Sequence, residues 1–590
     1  MTWRVRFRVV LGAITLMAMP VNAAPTRAID FAFSRFSARA LTVMLRDSPT
    51  SATQLGDHHF DENITSFSAA ARTHRVAHAY QLLKDLAHFP QSALSADNQV
   101  DAAMLRNALN QSIWSETKLQ DWAWDAQIYN DAAGASLYNL AARDFAPWPQ
   151  RLHAATIRME KIPRLFAQAR ANLVPARVPL IVATTVAAQN QGIVSVAESM
   201  LVPHVSTLSA GERRRFQAAL ATLKVAAARH QQWLDAVLVP NARGDFRLGR
   251  KLYDEKLRFA LNGTLDRDTI KARATQAIAD TRAQMYQIAR TVLEGKTKLV
   301  MPLQPSDAQQ QATIEAALAL TYVKRPARDA VESDARAAVA TATAFVQSHH
   351  LLSLPAAPVL VIEMPKFQQG VAVAYCDAAG PLEPQLPTFY AVSPIPVQWD
   401  DAQTNSFLRE YNSTMIHDLS IHEAMPGHYV QLDHANSGSS PLRAVLSSGP
   451  FVEGWAVYAE GMMADEGYQD HDPLFKLTVL KMRLRSITNS LLDIGIHAEK
   501  MTESEATLLM THTAFQQERE AAGKWTRARL TSTQLLSYFV GYSEHMALRE
   551  EAKVRWASNY NLFRYNQAVL AHGSPATRYV RALMFDLPIK

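Results

Sequence analysis

The chain has 590 residues, 48% hydrophobic and 19% charged, with a formal net charge of +6. That balance supports one large or two smaller globular cores and excludes a disordered or fibrous chain. Cys376 is the single cysteine, which excludes an internal disulfide and a cysteine-held metal; stability must come from packing, and any metal from histidine and carboxylate.

The opening MTWRVRFRVVLGAITLMAMPVNAAP sets Arg4, Arg6 and Arg8 ahead of a short apolar run and a Val21-Asn22-Ala23 triplet, the form of a secretory signal over residues 1–23. Those three arginines account for half of the net charge, and without them it falls to +3, near neutral for this size. No lipid-anchor cysteine follows, and no other segment has 18 uninterrupted apolar residues, so the expected product is exported, soluble and without stable membrane insertion.

From about residue 30 to 350, alanine-rich segments carry helical spacing. Val76, Tyr80, Leu83 and Ala87 recur every three or four residues and stop at Phe89-Pro90. Comparable stretches run over about 96–119, 150–173, 208–237, 267–294 and 325–348, with no repeat of fixed period, which predicts a helical array rather than a solenoid. The basic run Arg213-Arg214-Arg215 sits early in one of them and reads as a solvated face, so nothing argues for a nucleic-acid partner. Near residue 355 the texture changes. Ala357–Ile362, Gly370–Tyr375 and Thr388–Val392 are short and strand-like, enough for a small sheet, which either packs on helices or offers an edge to an extended peptide.

The densest chemistry follows in His422-Glu423-Ala424-Met425-Pro426-Gly427-His428. A helix that binds zinc through H-E-x-x-H puts its histidines at i and i+4. Here the second histidine comes at i+6, about 120° round an ideal helix, so one undistorted helix cannot aim both imidazoles at one ion. Pro426-Gly427 supplies a remedy, since proline breaks helical hydrogen bonding and glycine accepts nearly any backbone angle. Two histidines usually need a carboxylate as third ligand. Glu453 and Glu460, at i and i+7 in VEGWAVYAE, share a helical face; Glu453 is preferred as ligand with Glu460 outside it, although the roles are exchangeable at this level. Glu423 is the candidate general base, while the nearby His417 and His434 read as structural.

Downstream, Leu477, Leu480, Leu484, Ile487, Leu491 and Ile494 form an apolar stripe. Arg483, Asn489, Asp493 and His497 fall off it, a polar face that either lines a cleft, with His497 touching substrate, or meets solvent. In SYFVGYSEHMALREEA, Tyr538 is the candidate oxyanion donor, with Tyr542 and His545 as substitutes, and Arg549 is a candidate clamp for a substrate carboxylate.

HEAMPGHYVQ followed by FVEGWAVYAEG resembles the domain-of-unknown-function 885 family, mostly bacterial, often exported proteins grouped with gluzincin-type zinc metallopeptidases. The likeness extends to EMPKFQQGVAVAY, PTFYAVSP, LLDIGIHAEKMTESEA, SYFVGYSEHMALREEA, AVLAHGSPA and, upstream, GRKLYDEKLRFAL. The segments read above predict a mainly α fold, a large helical array over 24–350 and a small β-sheet beside a catalytic helical region over 351–590, which the resemblance implies is zincin-like. It implies a periplasmic (alternatively secreted) zinc hydrolase acting on short peptides. One departure stands out: Tyr565-Asn566-Gln567 replaces the family's usual Phe-His-Asp, which puts substrate preference or rate in question. The competing readings are a non-catalytic metal- or peptide-binding protein and a hydrolase of a non-peptide amide or ester.

Overall fold

The computed structural model describes residues 23–365, 368–369, 373–438 and 440–589; the expected signal segment up to residue 22, and 370–372 of the second expected strand, lie outside them. Helix makes up 72% and strand 3%, so helix packing carries the architecture and the sheet is an insert. The alanine-rich segments become helices at Ala69–Leu86, Ala96–Trp114, Trp148–Asn172, Ala210–Trp233, Arg267–Leu293 and Val331–Ser348. Side-chain caps set several of their starts: Ser68, Ser95 and Asp266 accept backbone N–H groups of the first turn, and Ser209 forms a capping box with Glu212.

The first of these helices corrects its expected register. Tyr80 is 58% exposed, and the buried face is Ala79, Leu82 and Leu86, one residue round from the expected stripe. Both sets have three-four spacing, and only the neighbouring helices decide between them. Arg213, Arg214 and Arg215 are exposed, Arg215 making a bidentate contact to Glu160 at 2.8 Å. One stretch, Leu180–Thr207, is long and apolar enough to cross a bilayer by length and composition. Val182, Val186 and Ile193 from it are buried in the core built by residues 126–242.

Apolar cores run across residue 350. Met285, Tyr286, Ile314 and Leu318 pack with Leu477, Leu480, Leu484 and Ile487, the stripe expected on the Pro473–Glu499 helix. That helix is central, packed against helices from both halves of the chain, and its polar face is therefore neither a cleft wall throughout nor a solvent face. Asp493 accepts the backbone N–H of Thr533 and Leu535 at 2.8 and 2.9 Å, and His497 reaches the Ala528 carbonyl at 2.8 Å while its ring stacks on Tyr253. Lys481 meets Glu410 at 2.8 Å, both buried.

The sheet has three short strands, β1 (Leu360–Glu363), β2 (Ala374–Asp377) and β3 (Phe389–Val392), in the order β1-β3-β2. β1 runs parallel to β3 and β2 antiparallel to it, so β2 is an edge. Burial concentrates on the central strand, where Tyr390, Ala391 and Val392 are covered.

The closest helix crossing joins Gly449–Asp465 to Ser537–Trp556. A Cβ on Gly454 would lie 2.2 Å from the Gly541 carbonyl carbon, and one on Gly541 would lie 1.7 Å from the Pro450 oxygen. Only glycine at both positions lets the two backbones touch. Gly541→Ala is accordingly expected to destabilise the protein by about 2 kcal/mol or more, the scale of core overpacking, seen as a lower denaturation midpoint in urea.

Candidate metal centre

Asn412 caps the Ser413–Glu423 helix by accepting from the backbone N–H of Thr414 and Met415. The helix ends at Glu423, the Met425–Pro426 bond is cis, and a new helix, His428–Gly438, begins at the second histidine. Gly427 folds back so closely that its N–H reaches the Ile421 carbonyl at 2.9 Å and an added Cβ would lie 2.0 Å from the His422 oxygen. The Trp455 indole donates to the Pro426 carbonyl at 2.9 Å, tying the break to the glutamate helix. The sequence thus breaks its helix between the two histidines, and their rings come to face each other at 4.7 Å and 86°.

Glu453 closes the group. Its Oε2 lies 3.6 Å from Nε2 of His422 and 3.3 Å from Nε2 of His428, and ligand atoms of all three residues fall within 4.8 Å of one another. A tetrahedral Zn2+ with bonds of about 2.0–2.1 Å sets its ligand atoms about 3.3 Å apart, so these separations are close to the edges of such a tetrahedron. Glu453 Oε2 is buried and makes no hydrogen bond, as a ligand atom would be. Two imidazoles and one carboxylate also form a donor set suited to zinc. The residues therefore fit the ion.

Glu460 sits on the far side of His422, its Oε1 2.6 Å from Nδ1. Holding Nδ1–H leaves Nε2 turned toward Glu453 and fixes the tautomer a ligand needs. Burial would lower the His422 pKa, but hydrogen bonding to Glu453 and Glu460 and the charges of Glu460 and Glu423 outweigh it and raise the imidazole well above its usual range. Burial would raise Glu453, and the two histidines reverse that, keeping its carboxyl far below the carboxylate range. The cluster is thus electrostatically tight, with the negative charge that a cation would balance.

A cavity of about 450 Å3 opens beside it, lined by His422, Glu423, Glu460 and Tyr538, with Val373 and Ala374 at the β2 edge and Trp399, Phe407 and Tyr411 as an aromatic wall. That size lies within the range of small-ligand sites. The Tyr538 ring lies 6.1 Å from that of His422. Its hydroxyl accepts from Arg527 at 3.2 Å, and Gln534, 3.4 Å from the same hydroxyl, also donates to Glu453 at 3.3 Å. Cys376 lies on β2 near Glu423; burial, then that carboxylate, raises its thiol pKa well above the ordinary range, which keeps it an unreactive thiol.

The other expected substrate contacts are not among the side chains lining the cavity. His545 is fully buried against Phe451 and Trp455 and reaches the Phe451 carbonyl at 2.9 Å. Tyr542 lies under the Arg483 guanidinium, Arg549 donates to the Tyr560 hydroxyl at 3.2 Å, and His497 serves the packing described above. The reason is rotational: on the Ser537–Trp556 helix only the Tyr538 face turns to the cavity. His417 and His434 are structural, bonded to the Tyr468 hydroxyl and the Val430 carbonyl. Tyr565, Asn566 and Gln567 also lie away from the cavity. Asn566 is buried between the Leu351 carbonyl and the Tyr458 hydroxyl, Tyr565 donates to the His545 carbonyl, and Gln567 accepts from the Ser353 N–H. In this chain the Tyr565-Asn566-Gln567 run serves packing.

The sequence reading passed over the cavity's charged wall of Arg485, Glu520, Lys524 and Arg527. A signal existed, since Glu520, Lys524 and Arg527 are spaced four and three apart and share one helical face.

Comparison with known families now has a site to rest on. The model of the family described as "Bacterial protein of unknown function (DUF885)" matches residues 49–584. The chain belongs to the DUF885 family. Among solved structures, this DUF885 chain is similar to a protein from Shewanella oneidensis, described provisionally as a lipoprotein of unknown function, at 31% identity and TM-score 0.78 over 94% of this chain and 99% of that one. It also shares its fold with a protein from Colwellia psychrerythraea, likewise described provisionally as a lipoprotein, at 15% identity and TM-score 0.75 over 95% and 99%. No curated protein matches it.

Two substitutions separate the roles of the cluster. His428→Ala is expected to abolish zinc retention measured by metal analysis after dialysis. Glu460→Gln is expected to weaken zinc affinity about 10- to 100-fold, the usual effect of removing a ligand's hydrogen-bond partner, in competition with a fluorescent chelator.

Proposed function

We propose that this DUF885 protein is a zinc-dependent hydrolase of short peptides, related in chemistry to gluzincin metallopeptidases. The observation that carries the reading is the His422–His428–Glu453 cluster, with atoms near tetrahedral spacing, whose His422 lines a cavity together with Glu423. A Zn2+ ion held there would supply Lewis acidity and lower the pKa of a water toward about 7. The remaining steps fall to the chain. Glu423 takes the proton from the attacking water on a carboxylate oxygen and passes it to the leaving amine nitrogen. Tyr538 donates a hydrogen bond to the developing oxyanion. Burial, then the Glu453 charge, raises the Tyr538 pKa, so its hydroxyl keeps the proton it must offer. Glu460 orients His422 through Nδ1.

Peptide substrates are favoured by the edge strand. Val373 and Ala374 line the cavity at the free side of β2, where an extended peptide backbone can add to the sheet. A cavity of about 450 Å3 under helices suits flexible chain ends better than folded proteins. Export to the bacterial envelope, with the periplasm as the compartment, is supported by the signal-like first residues and by the description of both structural relatives as lipoproteins.

The test is cleavage of a mixed peptide library by the zinc-loaded protein, with products read by mass spectrometry. Chelator is expected to stop cleavage and zinc to restore it. Glu423→Gln is expected to keep zinc but lose about 10²- to 10⁴-fold in rate, the scale of a general base. Cleavage by Glu423→Gln at the parent rate would remove Glu423 from the reaction.

A further inference from the structure

The cationic side of the cavity differs in character from the metal cluster. It is built by the Glu518–Leu530 helix, with Arg485 contributed by the central helix. Glu520 is the acid within this group, and it is already committed: Arg485 pairs with one carboxylate oxygen and the Tyr411 hydroxyl donates to the other at 2.8 Å. Glu410, also on the cavity, accepts from Lys481 and from the Gln517 N–H through Oε2, its other oxygen being buried without a donor. Arg527 donates to the Gln534 carbonyl and to the Tyr538 hydroxyl, both neutral, at 3.2 Å.

That leaves Lys524. It is 5% exposed, lines the cavity, and has no hydrogen bond or ion pair among the described residues. Glu520 and Glu410 lie within electrostatic reach of Lys524, yet neither forms an ion pair with it, so the wall keeps a buried amine whose N–H groups an incoming acceptor can satisfy. Burial, then the neighbouring Arg485, pushes the Lys524 amine well below the usual lysine range against the opposing charges of Glu520 and Glu410, and a carboxylate bound beside it would favour its protonated form. On the same cavity wall Asn489, 3% exposed, holds a side-chain carbonyl oxygen with no donor. An unpaired amine and an unpaired acceptor lining one cavity complement one end of a peptide: an α-carboxylate with the amide N–H of the same residue.

The wall is also close to the proposed reaction centre. Arg527 touches Tyr538, and Gln534 links Tyr538 to Glu453. Consecutive Cα atoms are about 3.8 Å apart, so a carboxylate held by Arg527, 3.2 Å from the Tyr538 hydroxyl, leaves a peptide bond one or two residues upstream near the cluster.

We propose that Lys524 and Arg527 bind the free α-carboxylate of a peptide and that Asn489 accepts its terminal amide N–H, which makes this protein a carboxypeptidase releasing one or two residues from the C-terminus. This rests on the hydrolytic reading of the cluster. In the reaction the C–N bond of the last or penultimate amide breaks, the water oxygen bonds to the carbonyl carbon, and the water proton passes through Glu423 to the leaving nitrogen. The products are a shortened peptide acid and a free amino acid or dipeptide. The carboxylate role expected for Arg549 thus moves to a helix where the cavity exists.

The experiment compares two N-acetylated random hexapeptide libraries, one ending in a free α-carboxylate and one in an α-carboxamide, on the zinc-loaded full protein. Expected is release of single residues or dipeptides from the free-acid library, with the amide library slower by about 10- to 100-fold, the value of charge-assisted hydrogen bonds. Lys524→Met should close most of that gap by slowing the free-acid library alone, with zinc content and melting temperature as controls for folding. Equal cleavage of both libraries, or internal cuts beside Asp or Glu in the amide library, would overturn the carboxypeptidase assignment and leave the hydrolase reading standing. Cleavage of neither library would overturn both. The comparison between libraries uses the unmodified protein, so it decides the matter even if Lys524→Met does not fold.

Discussion

Everything at the candidate centre depends on one constraint: two imidazoles six residues apart cannot face one point from a continuous helix. The chain answers with Pro426-Gly427. The missing Cβ of Gly427 lets the backbone close over the carbonyls of Ile421 and His422, where any side chain would collide at 2.0 Å. One helix ends with Glu423 on the cavity wall and the next begins with His428 turned back toward His422. Trp455 donates to the Pro426 carbonyl, so the helix that stabilises the break also carries Glu453 and Glu460. Two motifs far apart in the chain thus form one device.

A second close approach completes it. The backbones of Gly454 and Gly541 touch, and this brings Tyr538 beside Glu453 and His422 while turning Tyr542, His545 and Arg549 away. The central Pro473–Glu499 helix then takes up the space behind, with its apolar stripe against the N-terminal helices and its polar groups tied to backbone of the Ala528–Leu535 turn. The same helix thus serves packing and backbone contacts, and it sends Arg485, Ser486 and Asn489 to the cavity.

The electrostatics divide into two parts. At the cluster, two imidazoles and a carboxylate converge in a donor set that suits a cation. Beside the Glu518–Leu530 helix, Arg485 pairs with Glu520 and Lys481 with Glu410, and Lys524 is left with no direct hydrogen-bond or ion-pair partner among the described residues. A cavity with a cation-seeking end and an anion-seeking end orients a polar, chain-like ligand, and the edge of β2 runs along the same space.

The sequence by itself determined the helical class, the positions of most long N-terminal helices, the three short strands and the residues of the cluster, because each depends on local periodicity, caps or a compact motif. It also held the reason for His428's unusual spacing in Pro426-Gly427. The tertiary structure alone decided which of two equally spaced stripes on Ala69–Leu86 is buried, since Ala79 and Tyr80 differ by one position and only neighbouring helices choose. It alone separated Glu453 from Glu460, which share a helical face but meet opposite nitrogens of His422. And it alone brought Lys524 and Arg527 to the cavity while sending His497, Tyr542, His545 and Arg549 elsewhere. Rotation of a helix about its axis leaves no trace in its own periodicity when polar residues lie on several faces; contact with other helices sets it.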